Sequence, residues 1–287
     1  FYTMYSDVAD HDFFESQKDV LKTWHEQDPA NGGEIFRTWQ ISEYQENKPN
    51  PFILDETLIE RAYFYDEFLL GDKSHIFKYE AGGTSVLGGL QSHQLPNNTD
   101  GTIDIEDIVS SINSSNDSHY SMTRLLCLEN THNVCYGTAI ETQYFTDVKK
   151  VIDPYNLKLH IDGARIFNAS IALKTSVKTL TQEADSISCC LSKGLSCPSG
   201  SLILGNNDFI YTAKRLRKML GGGMRQAGIL ASAGIYALDN MINRLKEDHD
   251  NAKELASAIA EFSNIRINTK KVLTNLVFFH LEHDKLS

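Results

Sequence analysis

Short apolar runs alternate with amphipathic stretches between about residue 65 and residue 248, and this feature most limits the fold. The apolar, β-rich runs cover residues 123–129, 157–162, 186–192 and 201–205, each bounded by polar turns. Helix-like stretches lie between or after them, at 141–155, 167–180, 208–220 and 227–249. Such a βαβα succession predicts an α/β domain in which helices cover a largely parallel sheet.

The chain divides into three predicted parts. Residues 1–64 hold both tryptophans but little clean periodicity, and we interpret them as an atypical, moderately helical segment of unknown role. Residues 65–248 form the large α/β domain. Residues 249–287 begin a smaller α+β domain with a helix over 252–262 and two strand-like runs, and this domain reads as truncated at Ser287.

Charge and composition exclude several classes of function. The chain has 38 acidic and 27 basic residues, a formal charge of −11 that disfavours nucleic acid and anionic membranes as partners. No apolar run is long enough for a membrane helix, and the acidic, aromatic N-terminus does not resemble a signal peptide. The five cysteines form no zinc motif and predict a cytoplasmic protein without a disulfide framework.

Two of the apolar runs end in residues that could act together. Asp162 closes the run 157–162, and Lys193 follows the run 186–192. The carboxyl ends of parallel strands are where ligands bind in open α/β sheets. An amine with a lowered pKa can form a Schiff base, and a carboxylate can hold a pyridinium nitrogen protonated, as pyridoxal phosphate requires. Alone, Asp162 fits a helix cap equally well and Lys193 could be an exposed turn lysine, but buried runs on both sides of Lys193 favour the cofactor role.

Two histidines also follow strand-like runs. His75 comes after DEFLL and before a glycine-rich turn, and His132 follows the run that ends in CLE. Taken singly, each histidine would most often be structural. Four polar side chains at four predicted strand ends are harder to dismiss together, and they predict a site at one edge of the sheet.

Three glycines precede Met224, Arg225 and Gln226, and this segment permits two interpretations. It could cradle a phosphate at a helix N-terminus, although it lacks a Walker A pattern. Spacing alone favours a break between two helices, with Lys218 on a solvated basic face.

Five ordered motifs together closely resemble the threonine aldolase family, pyridoxal-phosphate lyases related to the aromatic amino-acid β-eliminating lyases. The motifs are GDKSHIFKYEAGG, CLENTHN, LKLHIDGARIFNAS, LSKGLSCPSGS and RKMLGGGMRQAGIL. The resemblance runs from about Tyr65 to the low 280s. It implies the aspartate-aminotransferase-like fold, known as fold type I, in a homodimer or homotetramer with sites at subunit interfaces.

The resemblance also implies roles for individual residues. Lys193 would bind the cofactor aldehyde covalently, and Asp162 would pair with the pyridine nitrogen. His75 would stack on the cofactor ring, and His132 would lie near the substrate β-hydroxyl. Arg165 would contact the substrate carboxylate or the cofactor. Lys218 and Arg225 would reach a phosphate of this or a neighbouring subunit. The implied reaction is cleavage of L-threonine or L-allo-threonine to glycine and acetaldehyde.

Two departures from the family pattern keep other functions open. The Ser-Gly-Thr turn that holds the cofactor phosphate is not found in residues 1–64, where Asn31-Gly32-Gly33-Glu34 is the nearest candidate and does not match. The family's arginine for the substrate carboxylate would lie beyond Ser287. The alternatives are therefore a catalytically impaired remnant of the family and a β-eliminating lyase that acts on another amino acid.

Overall fold

A computed structural model describes residues 36, 66–113 and 119–282 of the chain. The prediction for residues 1–64, including the Asn31–Glu34 candidate, lies almost wholly outside the described residues. Of two compact units, the larger consists of Glu67–Gly88, Ser92–Ile112 and Thr123–Ser287. The core and the site described below lie within this larger unit. The proposed domain division at residue 248 stays a prediction.

The described strands form one large sheet and one small sheet. The large sheet has six strands in the order β2-β1-β3-β4-β5-β6. They are β1 (Asp66–Gly71), β2 (Gln91–Leu95), β3 (Met122–Glu129), β4 (Lys158–Asp162), β5 (Ser186–Cys190) and β6 (Ser201–Gly205). The small sheet pairs β7 (Ile265–Ile267) with β8 (Phe279–Leu281) in antiparallel register. The predicted strand around residues 275–283 is thus only three residues long.

The centre of the large sheet is parallel, as the βαβα pattern predicted. Strand β3 runs parallel to β4, with Glu129 opposite Asp162, and β4 runs parallel to β5, with Asp162 opposite Ser188. Strand β6 turns back and pairs antiparallel with β5. The carboxyl ends of β3, β4 and β5 therefore lie side by side at one edge of the sheet.

Nine α-helices lie within the described ranges. They are α1 (His75–Lys78), α2 (Gly83–Val86), α3 (Ile105–Ser110), α4 (Thr142–Ile152), α5 (Ile166–Leu173), α6 (Val177–Leu180), α7 (Asn207–Met219), α8 (Gly228–Asn240) and α9 (Leu245–Ile259). Short 3-10 turns follow at Asp153–Tyr155 and Thr269–Lys271. No helix in these ranges is both long and apolar enough to span a bilayer.

Two predicted helical stretches are interrupted, and local hydrogen bonds explain why. Helix α5 ends at Leu173, because the next residue, Lys174, adopts a left-handed backbone with φ of 52°. The Ser170 hydroxyl donates to the Thr175 carbonyl 2.7 Å away. The Asn240 side chain donates to the Tyr236 carbonyl at 2.8 Å where α8 ends. Such side-chain bonds to the backbone compete with a continuing helix.

The main core lies between the sheet and α3 and α4. In α4 the buried residues Phe145, Val148 and Ile152 follow a helical spacing, so they form one apolar stripe. They pack with Leu159 and Ile161, the alternate residues of β4 that point to this face. Packing of these side chains holds the central strands in position, and the residues at the strand ends are therefore held in position as well.

The prediction that the run 201–205 is buried was wrong. All five residues of β6 are exposed. Strand β6 is the last strand in the sheet order, and only β5 pairs with it among the described strands. An apolar run of five residues predicts a strand, but it does not distinguish an edge strand from a central one.

Candidate active site

Strands β1 and β3 bring their polar ends together through a buried carboxylate. Glu129, the last residue of β3, is 5% exposed, and its Oε2 accepts a hydrogen bond from the His75 backbone N–H at 2.9 Å. Its Oε1 accepts from the Asn133 N–H at 2.8 Å. Burial raises the pKa of Glu129 above its ordinary value. Glu129 therefore ties the start of α1 to the loop that carries His132.

Sequence reasoning gave Glu129 no role, although it stands inside the CLENTHN motif. A carboxylate at the end of an apolar strand is the signal that could have identified it, and the same signal had singled out Asp162 at the end of β4.

His75 begins α1 directly after β1, in partial contact with solvent. Its Nδ1 lies 3.1 Å from Oε1 of Glu80, and its ring centroid is 5.2 Å from that of Tyr79 at an angle of 58°. The backbone bond to Glu129 fixes the position of the residue, while the ring remains available at the strand edge. A flat ring placed there can cover one face of a planar ligand.

His132 is fully buried and its ring is neutral at physiological pH. Its pKa is lowered to about 4: desolvation is the largest cause, the Lys73 charge acts in the same direction, and Asp162 opposes the change. Gly101 packs directly on the ring, because a Cβ there would lie 2.5 Å from Cβ of His132. No described residue bonds its Nε2. Because Nδ1 accepts from the Cys135 N–H at 3.4 Å, the neutral ring carries its proton on Nε2, and Nδ1 is the nitrogen that can accept a further proton.

We expect His132 to make stability depend on pH. Its folded pKa of about 4 lies below the ordinary 6.5, so between these values the unfolded chain binds a proton that the folded chain does not. The stabilising effect is complete above pH 6.5 and is lost as pH falls, by about 3 kcal/mol in the free energy of unfolding.

Urea unfolding at pH 8 and pH 4, for the parent chain and His132→Gln, measures this effect. All other titrating groups cancel in the difference between the two proteins. An identical pH dependence in both would show that His132 is not held neutral by burial.

Asp162 is anchored through one of its two carboxylate oxygens. Oδ1 accepts hydrogen bonds from the Ala164 N–H at 3.1 Å and from the Ser188 hydroxyl at 3.3 Å. Among the described residues, none bonds to Oδ2. The negative charge of Asp162 contributes to the raised pKa of Glu129 and opposes the lowering of the pKa of His132. The three side chains are therefore close enough to interact electrostatically. The aspartate thus presents a fixed, unpaired acceptor oxygen.

Lys193 follows β5 in the turn that leads to β6, and it is exposed, contrary to the predicted desolvated setting. Only the β5 side of this turn is buried, because β6 is an exposed edge strand. The Lys193 Nζ lies 2.9 Å from Sγ of Cys190, and the Ser201 hydroxyl lies 3.5 Å from the same sulfur. Lys193 is reachable by an aldehyde, and its amine is held near the carboxyl end of β5.

The structure brings the predicted site residues together only in part. The His75 backbone bonds to Glu129, Asp162 lies opposite Glu129 in the sheet register, and His132 feels the charge of Asp162. Lys193 belongs to the neighbouring strand end. Arg165 occupies the N-cap position of α5, three residues after Asp162, and makes no side-chain cap bond. Lys218 and Arg225 are exposed at the end of α7 and in the segment between α7 and α8, with no described side-chain bond to the other site residues. The glycine segment ends one helix and precedes the next, so it lies where the helix break was predicted.

Solved structures share this architecture. A putative L-allo-threonine aldolase from Listeria monocytogenes superposes with a TM-score of 0.62 at 20% identity, over 73% of this chain and 56% of that chain. A threonine aldolase from Leishmania major gives a TM-score of 0.59 at 22% identity, over 70% and 59%. The chain therefore has the architecture known as fold type I.

The sequence comparisons show to which family of this fold the chain belongs. The family model for the β-eliminating lyases matches residues 54–282, and the chain belongs to this family. A probable low-specificity L-threonine aldolase of Arabidopsis thaliana is 45% identical over 76% of this chain and 62% of its own length. A low specificity L-threonine aldolase of Escherichia coli is 47% identical over 68% and 58%. The chain therefore spans about three fifths of the length of these relatives.

Proposed function

We propose that the chain is a lyase of the threonine aldolase type, which cleaves L-threonine or L-allo-threonine to glycine and acetaldehyde. The observation that carries the proposal is Asp162: its Oδ1 is bonded twice, while its Oδ2 faces no described partner. Identity of 45–47% to low-specificity L-threonine aldolases supports the substrate class.

The residues present fit pyridoxal phosphate. A reachable amine on Lys193, an anchored carboxylate on Asp162 and a ring on His75 stand at the ends of neighbouring elements. These three groups would hold the cofactor aldehyde, the pyridine nitrogen and one face of the ring, respectively. Arg165, Lys218 and Arg225 would supply positive charge to the phosphate or to the substrate carboxylate. When bound, the cofactor supplies an electron sink for the negative charge that forms at the substrate Cα.

The protein's own contribution to the reaction is positioning and proton transfer. Lys193 would hold the cofactor aldehyde and would give up this place to the substrate amine. Asp162 would accept a hydrogen bond from the protonated pyridine nitrogen of the cofactor. His132, neutral at pH 7, accepts the proton of the β-hydroxyl, and the Cα–Cβ bond then breaks with release of acetaldehyde. Because the ring is fully buried, an ordered water or a movement of its loop must connect it to the hydroxyl.

The decisive experiment measures products from L-threonine with added pyridoxal phosphate. Release of acetaldehyde and glycine in equal amounts supports the proposal. Release of a keto acid and ammonia would instead assign a β-eliminating activity, and no product of either kind would leave a catalytically impaired member of the family.

We further propose that a second copy of the chain covers the exposed surface of α7 and α8, in a homodimer or a homotetramer. Ile229, Ile235 and Tyr236 on α8 are 82%, 64% and 65% exposed, and Met219 at the end of α7 is 73% exposed. Several large apolar side chains exposed on two successive helices are typical of a surface that another protein covers. The resemblance to threonine aldolases, whose sites lie at subunit interfaces, supports a copy of the same chain as the partner.

The variant Ile235→Asp tests this interface. We expect the charge to shift the chain to the monomer in sedimentation velocity, because a dimer would bury it without a partner. The matched control is Tyr155→Asp, which places the same charge on a half-exposed aromatic position outside α7 and α8. Equal association of both variants would show that α8 does not form the interface.

We propose the cytoplasm as the compartment of the protein. Cys127, Cys135, Cys189 and Cys197 are buried as free thiols. Free thiols that serve as small apolar packing groups fit a reducing environment.

A further inference from the structure

The backbone of His132 is held by a loop that closes on itself. The His132 N–H donates to the Thr138 carbonyl at 2.9 Å, and the Gly137 N–H donates to the His132 carbonyl at the same distance. The Cys135 N–H lies 3.4 Å from Nδ1 of the His132 ring. The position of the imidazole therefore depends on where Gly137 and Thr138 are held.

A residue far along the chain holds Gly137. Thr274 is fully buried, and its hydroxyl donates to the Gly137 carbonyl at 2.8 Å across 137 residues of sequence. The approach is close enough to require glycine, because a Cβ on Gly137 would lie 2.7 Å from Oγ1 of Thr274 and 2.9 Å from Cδ1 of Leu276. Gly137 also has a φ of +67°, which side-chain-bearing residues rarely adopt.

Two more contacts join the same two segments. The Phe278 ring meets the Tyr136 ring edge-on, with centroids 5.5 Å apart. The Lys271 ammonium lies 4.1 Å from the centroid of the Tyr136 ring, within the range of a cation–π contact. The segment 271–278 thus contacts the loop 132–138 through a hydrogen bond, a close backbone approach and an aromatic side chain.

We propose that Thr274 is a positioning residue that fixes His132 through Gly137. The inference rests on the proposed function, in which His132 accepts the β-hydroxyl proton. Two consecutive hydrogen bonds connect the residues, from the Thr274 hydroxyl to the Gly137 carbonyl and from the Gly137 N–H to the His132 carbonyl. Loss of the hydroxyl leaves the buried Gly137 carbonyl without this donor. Because an unpaired buried carbonyl is unfavourable, we expect the loop 132–138 to shift so that the carbonyl finds another partner.

Two substitutions separate the hydroxyl from the shape of the side chain. Thr274→Val keeps the volume and removes the donor, while Thr274→Ser keeps the donor. The first readout is the NMR signal of the His132 ring in histidine-labelled protein, assigned by its disappearance in His132→Gln. We expect the signal to move in Thr274→Val and to stay in place in Thr274→Ser. This readout needs no catalytic activity.

The second readout is the cleavage of L-threonine in a double-mutant cycle. Thr274→Val should lower kcat about tenfold with little change in KM, and Thr274→Ser should retain kcat. In the His132→Gln background, Thr274→Val should have no further effect on kcat, because its influence passes through a ring that is no longer there.

Each outcome either supports or overturns the proposal. An unmoved His132 signal in Thr274→Val overturns it, and so does a tenfold loss of kcat that persists in the His132→Gln background. If the parent chain does not cleave threonine, the proposed function fails, while the ring signal still decides whether Thr274 positions His132. If Thr274→Val does not fold, Thr274→Ala replaces it, since it also removes the hydroxyl that donates to the Gly137 carbonyl, and the same outcomes decide the proposal.

Discussion

Replacing Lys193 by alanine should abolish both cofactor attachment and threonine cleavage. The amine at this position is the group that binds the cofactor aldehyde in the proposed function, and Lys193 is the lysine in the turn between β5 and β6. We expect the visible absorption band of the lysine-bound cofactor to vanish and kcat to fall by about a thousandfold or more. Absorption spectra with added pyridoxal phosphate and release of acetaldehyde measure the two effects.

Because Lys193 is exposed, its replacement should not disturb the fold. Among the described residues its amine makes a hydrogen bond only to the Cys190 sulfur, so its side chain can be removed without opening a cavity. Lys178→Ala, which removes another exposed lysine from α6, is the matched control and should retain both the band and the activity. A band that survives in Lys193→Ala would show that another amine binds the cofactor, and the proposed assignment of Lys193 would be wrong.

The second large effect is expected for Asp162→Asn. The asparagine oxygen can still accept from the Ala164 N–H and the Ser188 hydroxyl, so the strand end should keep its geometry. The amide nitrogen then takes the place of Oδ2 and presents a donor where the cofactor nitrogen also needs to donate. We expect kcat to fall about a hundredfold, the equivalent of about 2.7 kcal/mol, which is in the range for a lost charge-assisted hydrogen bond.

The visible absorption band of the bound cofactor shows whether Asp162→Asn lowers kcat alone or also destroys cofactor binding. Asp162→Asn should still bind pyridoxal phosphate through Lys193, with lower affinity and a shifted band. Asp147→Asn makes the same chemical change on the exposed surface of α4 and should leave the band and kcat as they are. Full activity in Asp162→Asn would mean that the cofactor nitrogen does not depend on this carboxylate.

Sequence reasoning located the strands and the central site because these features are local. An apolar run with polar turns on both sides identifies a buried strand, and β3, β4 and β5 each lie within one or two residues of their predicted bounds. The shared edge of Asp162 and Lys193 followed from the parallel order alone. The five ordered motifs then gave the family, which the comparisons confirmed.

The features that sequence reasoning missed depend on contacts or on position in the sheet. The apolar sequence of β6 does not indicate that this strand lies at the edge of the sheet. For this reason Lys193, which precedes β6, was expected to be less exposed than it is. The breaks after α5 and α8 coincide with single side-chain bonds to the backbone, at Ser170 and Asn240. Thr274 could not be found, because nothing in its neighbours in sequence indicates a partner 137 residues away.

The bond between Thr274 and Gly137 also sets an order of events during synthesis of the chain. Lys193, Asp162 and the sheet that carries them leave the ribosome long before residue 274, and domains generally fold as the N-terminal part emerges. The nascent protein can therefore build the strand ends that carry Asp162 and Lys193 first, while the loop that carries His132 is still unrestrained. This loop can reach its final place only after residue 274 has left the ribosome, so the position of the imidazole is set later than the sheet beside it.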